Sequence, residues 1–413
     1  MLVRVERDGA YATVALDAEL ERCPQLTERD RALATELVYG SLRAHVVLRE
    51  RLAALAPRGL PAHDPLTLAH LSVAAYQILM LDRVPAHAAV DAAVSAIAAR
   101  RGPRVGGFAN ALLRRLAQGP RIDPATAATV SAPEWLRQRL VRAVGEEEAL
   151  ALLRAPESGW LCVRASARHP APDWLEAAQP GRVSPTARLV RGVGDPRRLP
   201  GWGTGGLVIR EEGSQLVALA LGARPGERVL DACAGRGQKT SLLAEQVGPS
   251  GEVWASDLYP GKLRDLEAEF QRLGLTGPRT ASVDWTAGPG QIPEGFDRVL
   301  VDAPCSGVGT LRRRPEIALR LAEGDPDRLG ALGLAVLRGA ATRLRPGGRL
   351  VYAVCSVLPE ECERVVEGVA DSLRPVPFDA PDLGAVVPPG ATTLRLLPLR
   401  HGTDGYFIAS LTK

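Results

Sequence analysis

The sequence predicts an α/β protein whose C-terminal half forms a doubly wound, mostly parallel sheet behind an all-helical N-terminal region. From residue 206 to 413, short apolar runs alternate with amphipathic stretches, which is typical of strands and crossover helices. From residue 1 to 122, apolar residues recur at helical spacing with short connections, which is typical of a helical bundle. A small α+β connecting domain is expected over residues 123–205.

The helical region carries its clearest signals in two segments. In "TERDRALATELVYGSLR", Thr27 precedes a periodic apolar run and Asp30 follows three residues later, which predicts a capped helix start. The segment "DPLTLAHLSVAAYQILML" is more continuously apolar, which predicts a central helix of the bundle.

The other two regions are defined by strand patterns. In the connecting region, "WLCVRAS" and "ARLVRG" are strand candidates between stretches rich in Pro and Gly. In the C-terminal region, the parallel strand candidates are "RVLDACA", "EVWASDL", "RTASVDW", "FDRVLVDAP" and "GRLVYAVCS". The segments "TTLRLLP" and "GYFIASL" predict a closing antiparallel hairpin.

Composition restricts the class of protein. The chain has 413 residues, 46% hydrophobic and 24% charged, as in globular proteins with apolar cores. No apolar run is long enough to span a bilayer, and "MLVRVERDGAYATVALDAEL" lacks a signal-peptide core, so we expect a cytoplasmic protein with no membrane partner. The six cysteines form no Cys-x-x-Cys pair and the histidines no zinc-ligand spacing, so we expect neither a metal nor a disulfide framework. A monomer is the default expectation.

The charge distribution leaves two interpretations open. The net charge is only +4, but one segment without acidic residues, 98–122, contains Arg100, Arg101, Arg104, Arg114, Arg115 and Arg121. Such a run suits contacts to nucleic acid phosphates, and it equally suits a solvated helix face.

The carboxyl ends of the predicted strands carry ligand-binding residue types. In open α/β sheets, ligands bind at that edge. The first strand leads into the glycine turn "DACAGRGQKT", and the next two strands end near Asp257 and Asp284. This pattern favours a nucleoside cofactor, with Asp257 on the ribose and Asp284 near the adenine. Thr240 stands three residues after Gly237, where a dinucleotide fingerprint has glycine, so a dinucleotide is disfavoured.

Two further strands end in Cys-Ser motifs, with Cys305 in "VDAPCSGVG" and Cys355 in "YAVCSVLPEE". Such cysteines could be core residues, a disulfide, metal ligands or a catalytic pair. A thiolate is a strong nucleophile where positive charge or helix N-termini stabilise it. Spacing alone does not decide which cysteine attacks.

The chain resembles the bacterial ribosomal RNA cytosine-carbon-5 methyltransferases of the Fmu/Sun type. The motifs "DACAGRGQKT", "FDRVLVDAPCSGVGTLRRRPE" and "GRLVYAVCSVLPEE" look like those of its catalytic domain, and "ERDRALATELVYGSLR" and "GFANALLRRL" look like its NusB-like RNA-binding domain. The resemblance implies a Rossmann-like catalytic domain, S-adenosyl-L-methionine as cofactor, and RNA as partner, with 16S rRNA as the expected target.

The resemblance also implies a role for individual residues. Cys355 would be the nucleophile, Cys305 would assist product release, and Asp302 would hold the base at N3 and border the cofactor pocket. The remaining cofactor residues would be Asp257, Asp284 and the loop Cys233, Ala234, Gly235, Arg236, Gly237, Gln238 and Lys239.

The sequence departs from the family pattern at two places of interest. The loop reads "GRGQK" from Gly235 to Lys239 where the family has Ala-Pro-Gly-Gly-Lys, which puts the geometry of the cofactor loop in question, and Cys362 replaces an asparagine. Two other functions therefore stay open. One is a non-catalytic RNA-binding or assembly factor, and the other is a methyltransferase for DNA or a small molecule.

Overall fold

In a computed structural model of the chain, the structure describes residues 1–57, 59–61, 64–156, 160–384 and 386–413. Within them, no helix is long and apolar enough to cross a bilayer.

The chain divides into two compact units. The helical unit comprises residues 1–139, 149–156 and 311–321, and the α/β unit comprises residues 140–148, 157–310 and 322–413. The boundaries that the sequence suggests at residues 122 and 205 stay a prediction.

Most of the helices precede the first strand. The first ten are α1 (Leu2–Arg7), α2 (Ala12–Glu21), α3 (Glu28–Arg43), α4 (His45–Ala54), α5 (Pro65–Met80), α6 (Ala86–Arg101), α7 (Pro103–Leu116), α8 (Pro124–Ser131), α9 (Glu134–Val144) and α10 (Glu146–Leu153). The later ones are α11 (Glu212–Ala220), α12 (Gln238–Val247), α13 (Pro260–Arg272), α14 (Glu316–Arg320), α15 (Asp325–Ala341), α16 (Glu363–Glu367) and α17 (Pro398–His401).

The helical unit is a bundle around α5, as the sequence predicts. Thr27 and Asp30 form a reciprocal capping box that starts α3, so both backbone N–H groups at this end are satisfied. Leu71 of α5, Leu48 of α4 and Leu113 of α7 are fully buried in one apolar cluster. Helix α5 therefore lies at the centre of the bundle, because it has the most apolar surface to bury away from water.

One segment of the helical unit comes from far along the chain. Residues 311–321, which follow the Pro-Cys motif, pack with the N-terminal helices. Glu316 is fully buried and accepts a hydrogen bond from the backbone N–H of Ala12 at 3.1 Å. The guanidinium of Arg43 donates to the carbonyl of Arg312 at 3.0 Å. The basic segment "LRRRPEIALRL" thus completes the bundle rather than the sheet.

The strands form two sheets within the α/β unit. They are β1 (Trp160–Ala165), β2 (Gln179–Pro180), β3 (Arg188–Arg191), β4 (Leu207–Ile209), β5 (Arg228–Asp231), β6 (Glu252–Asp257), β7 (Arg279–Ser282), β8 (Phe296–Asp302), β9 (Leu344–Val354), β10 (Arg374–Pro375), β11 (Thr393–Leu396) and β12 (Tyr406–Thr412). The small sheet has the order β2-β3-β1-β4 and is antiparallel. Its strands β1 and β3 correspond to the two strand candidates of the connecting region, "WLCVRAS" and "ARLVRG".

The large sheet has the order β10-β12-β9-β8-β5-β6-β7, with β11 paired to β12. Strands β9, β8, β5, β6 and β7 are parallel, and β12 runs antiparallel to both β9 and β11. The parallel strands and the closing hairpin predicted from the sequence are thereby confirmed.

Helices cover both faces of the large sheet. Along β8, Val299 and Val301 share an apolar cluster with Leu337 of α15, whereas Leu300 shares another with Leu216 of α11. Successive residues of one strand therefore enter opposite layers, as in any strand buried on both sides. This arrangement fixes the carboxyl ends of the parallel strands at one edge.

Candidate active site

Two cysteine thiols meet at the carboxyl edge of the large sheet. Asp302, the last residue of β8, is in register with Ala353 of β9, so the turns that follow these strands are neighbours. The Sγ atoms of Cys305 and Cys355 lie 3.5 Å apart, and both side chains are partly exposed. None of the six cysteines, all of which lie in the described part of the chain, forms a disulfide. The two motif cysteines are therefore a pair of thiols in contact.

The surroundings of Cys305 raise the pKa of its thiol. The hydrogen bond with Cys355, reinforced by burial, raises the pKa of Cys305 well above that of an ordinary thiol. Cys305 therefore keeps its proton at neutral pH. Either sulfur can be the donor in this hydrogen bond, so a protonated Cys305 can donate to the Sγ of Cys355.

An ion pair borders the thiols. The ammonium of Lys239, in the first turn of α12, pairs with the carboxylate of Asp302. Lys239 is only 9% exposed, whereas the Asp302 side chain is about a quarter exposed. The structure thus brings together two residues that the sequence had assigned to the cofactor loop and to the base pocket.

The glycine loop keeps a tight turn despite its unusual sequence. Gly235 and Gly237 have φ values of +55° and +80°, a conformation that favours glycine. The N–H of Gly235 donates to Asp257 at 3.1 Å, and Gly237 precedes the first turn of α12. Arg236 projects outward to an ion pair with Asp265. The loss of the family's proline and second glycine has therefore not removed the turn.

The other loop residues are held by the surrounding backbone. The N–H of Ala234 donates to the carbonyl of Ser256 at 2.8 Å, and the side chain of Gln238 accepts from Arg210. Burial raises the pKa of Cys233 well above its usual value, so this thiol stays protonated. It therefore differs from the exposed, low-pKa cysteines that react readily.

Asp257 and Asp284 have different surroundings. Asp257 is largely buried and accepts from the N–H of Tyr259 at 2.9 Å and from Lys262 at 3.3 Å. Asp284 is exposed and accepts from the N–H and hydroxyl of Thr286 at 3.0 and 2.6 Å, contacts that lower its pKa. The visible function of Asp284 is therefore to stabilise a turn, and its contact with adenine stays a prediction.

Asp231 is buried and could accept a further hydrogen bond. Its Oδ2 accepts from the hydroxyl of Thr240 at 2.8 Å, while its Oδ1 is buried with no hydrogen-bond partner. Burial raises the pKa of Asp231 to about 6. Buried polar atoms are nearly always paired, so an unpaired oxygen at the ligand edge points to a missing donor.

Sequence reasoning missed a buried carboxylate that contacts both cysteine loops. Glu361 is buried and accepts hydrogen bonds from the serines that follow the two cysteines, Ser306 and Ser356. Its position in "CSVLPEE" was visible, but nothing in the pattern showed which of the two adjacent glutamates turns inward. Among the described residues, no cluster of His, Cys, Asp or Glu could hold a metal ion.

A Rossmann-like sheet with a glycine turn and strand-end acids defines an S-adenosylmethionine-dependent methyltransferase. Residues 218–412 match the family model described as 16S rRNA methyltransferase RsmB/F, and residues 1–118 match that of the NusB family. The chain belongs to the RsmB/F family, and it is an S-adenosylmethionine-dependent RNA methyltransferase with an N-terminal NusB domain.

Full-length relatives support this membership. The chain is 36% identical to ribosomal RNA small subunit methyltransferase B of Thermus thermophilus over 100% of this chain and 96% of the relative. It is 33% identical to the protein of the same name from Xanthomonas campestris, over 93% and 89%. The crystal structure of PH0851 matches with a TM-score of 0.80 at 26% identity, covering 93% of this chain and 90% of that one.

The residues at the sheet edge fit S-adenosylmethionine. The unpartnered Oδ1 of Asp231 suits an ammonium group, and the Asp257 carboxylate suits ribose hydroxyls. A Cβ added at Gly235 would meet nothing within 4 Å, so the loop leaves open space there. The cofactor supplies an electrophilic methyl group, and these residues would bind and orient it.

We expect Gly237→Ala to destabilise the chain more than Gly235→Ala. Both replacements place a side chain at positive φ, which costs about 1–2 kcal/mol. At Gly237 the new Cβ would also lie 2.5 Å from the Cγ of Leu266, and such overpacking costs about 1–3 kcal/mol more. Urea unfolding of both variants measures the difference, and equal losses of stability would contradict a clash with Leu266 as its cause.

Proposed function

We propose that the chain methylates carbon 5 of a cytosine in small-subunit ribosomal RNA, with Cys355 as the nucleophile. The observation that carries this proposal is the pair of thiols 3.5 Å apart in the turns that follow β8 and β9. A single cysteine suffices for attack, so a second one in contact favours a mechanism with separate attack and release steps.

The attack step follows from the chemistry of cytosine. Carbon 5 is a poor nucleophile, and addition of a thiolate to carbon 6 converts the ring into an enamine that can accept a methyl cation equivalent. The side chain of Cys355 is partly exposed, and its Sγ lies within hydrogen-bond distance of the Cys305 Sγ. In this proposal it forms the carbon–sulfur bond, while the base takes up a proton at N3.

Asp302 and Lys239 would bind the base edge. The Asp302 side chain lies at the end of β8, three residues before Cys305, and keeps an exposed fraction beside its ion pair with Lys239. A carboxylate there can form a hydrogen bond with protonated N3, and the ammonium fixes its orientation. The pair would thus favour addition by stabilising the protonated ring.

The release step restores the aromatic ring. The C5–H bond breaks, its electron pair re-forms the C5–C6 double bond, and the carbon–sulfur bond breaks to return the Cys355 thiolate. N3 then loses to water the proton that it took up during the attack. Cys305 would assist removal of the carbon 5 proton, which finally reaches water. Cys305 starts protonated, so it must first release its own proton to water, and its raised pKa then makes the resulting thiolate a strong base.

The RNA target is inferred from the bundle and from relatives. The six arginines between residues 98 and 122 are all exposed. Exposed guanidinium groups suit the phosphate backbone. The relatives from Thermus thermophilus and Xanthomonas campestris bear the name of small-subunit methyltransferases. These observations favour ribosomal RNA over DNA or a small molecule.

We expect the purified protein to convert one cytosine of 16S rRNA to 5-methylcytosine when supplied with S-adenosylmethionine. Bisulfite sequencing detects the product because 5-methylcytosine resists deamination. Small-subunit RNA from a strain that lacks the gene is the substrate, and transfer RNA and DNA are controls. Modification of transfer RNA or DNA alone would contradict the target, and cofactor binding without any methylation would favour the assembly factor.

A further inference from the structure

The serines after the two cysteines share one buried carboxylate. Glu361 is 1% exposed. One of its oxygens accepts from the N–H of Ser306 at 2.5 Å, and the other accepts from the hydroxyl of Ser306 at 2.6 Å. That second oxygen also accepts from the hydroxyl of Ser356 at 2.5 Å. The side chain therefore bridges the Pro-Cys loop and the Cys-Ser loop.

The bridge is itself anchored to the sheet. The backbone carbonyl of Glu361 accepts from the hydroxyl of Tyr352 at 2.6 Å, and its N–H donates to the carbonyl of Leu358 at 3.0 Å. The Ser356 hydroxyl in turn accepts from the N–H of Leu358 at 3.3 Å. Such a connected network has little freedom to move, because every member is held by another.

The location of the bridge relates it to the thiols. Ser306 and Ser356 are each adjacent in sequence to a thiol of the 3.5 Å pair, so a shift of either serine moves the neighbouring sulfur. Burial raises the pKa of Glu361, while the serine donors act in the opposite direction. A buried carboxylate is costly to keep, and the fold retains it at the point where the two loops join.

We propose that Glu361 is a positioning residue that holds Cys305 against Cys355 throughout the reaction. This inference rests on the proposed function, because it assigns the bridge to the release step. While Cys355 is bonded to the base, its sulfur is a thioether and only a weak hydrogen-bond acceptor, so the carboxylate bridge is what keeps Cys305 in place. Without the bridge, attack would continue and release would slow.

Three variants separate positioning from general stability. Glu361→Ala removes the bridge, and Ser356→Ala removes one arm of it with a smaller risk of unfolding. Glu361→Gln keeps one acceptor and gains an N–H donor that hydroxyl oxygens can accept, so it preserves the bridge without charge. Glu148→Ala is the matched control, because Glu148 is also a buried carboxylate but accepts from Leu399 and Arg400 instead.

The readouts are the single-turnover rate and the fraction of chain covalently bound to RNA on a denaturing gel. We expect Glu361→Ala to slow release about 100-fold, as a misplacement of about 1 Å can do, and to accumulate adduct. Ser356→Ala should accumulate less adduct, Glu361→Gln should stay within about fivefold of wild type, and Glu148→Ala should accumulate none.

Two results would overturn the inference. One is adduct-free turnover of folded Glu361→Ala and Ser356→Ala at the wild-type rate. The other is loss of rate in proportion to lost thermal stability, without adduct, because that is what a merely structural contact produces. Both results require a wild-type protein that methylates cytosine. A wild type that never does so would contradict the proposed function itself.

Discussion

Replacement of Cys355 by alanine should abolish methyl transfer while the chain stays folded and still binds S-adenosylmethionine. The expected loss is about 10,000-fold or more, because removal of a nucleophile leaves only binding and electrostatic effects. Alanine is smaller and apolar, and Cys355 is partly exposed, so the fold loses little packing. Methyl incorporation into RNA measures the rate, and titration calorimetry measures cofactor affinity.

A second cysteine variant makes this result interpretable. Cys23 is also a partly exposed thiol, but it lies in the helical unit, so Cys23→Ala should keep its activity. Turnover of Cys355→Ala within about tenfold of wild type would remove Cys355 as the attacking group. Loss of cofactor affinity together with activity would instead indicate a damaged fold.

Replacement of Cys305 by alanine should trap the protein on its RNA. In the proposed sequence, attack by Cys355 does not need Cys305, whereas release does. The 3.5 Å contact and the raised pKa of Cys305 support its proposed role as the group that exchanges a proton beside the adduct. We expect a covalent complex that survives denaturing electrophoresis, with turnover reduced by about 100-fold or more.

The control for this experiment is the double variant Cys305→Ala/Cys355→Ala, which should form no complex. Continued methylation by Cys305→Ala without any adduct would show that Cys305 has no part in release. An adduct that persists in the double variant would mean that another group attacks the base.

Most of the fold could be predicted from the sequence, because the patterns that indicate it involve residues close together in the chain. Strands β5, β6 and β8 contain apolar runs, each followed along the chain by a helix with amphipathic spacing, and both features arise from neighbours in the chain. The capping box at Thr27 and the hairpin of β11 and β12 are local for the same reason. The strand-end rule then placed the cysteines and acids at one edge.

The parts that sequence reasoning missed depend on contacts between distant residues. Glu361 reaches Ser306 across 55 positions, and the pattern "PEE" does not distinguish the inward glutamate from its neighbour. Residues 311–321 join the helical unit through Glu316 and the backbone of Ala12, which periodicity cannot reveal.

The glycine loop shows where a departure from a family pattern can mislead. The sequence "GRGQK" lacks the family's proline and the second glycine of its Gly-Gly pair, yet Gly235 and Gly237 both adopt positive φ. Backbone conformation, and not residue identity between the glycines, keeps the N–H of Gly235 on Asp257. The exposed Arg236 at the middle of the turn is therefore compatible with a formed cofactor loop.

Localisation of the covalent bond tests the proposed mechanism most directly. An RNA substrate that carries 5-fluorocytidine at the target position should be trapped by the wild-type protein with S-adenosylmethionine, because fluorine cannot leave carbon 5 as a proton does. Tandem mass spectrometry of the digested complex then identifies the modified peptide. We predict that the nucleotide is attached to Cys355 in "YAVCSVLPEE". Attachment to Cys305, or attachment to no cysteine at all, would contradict this mechanism.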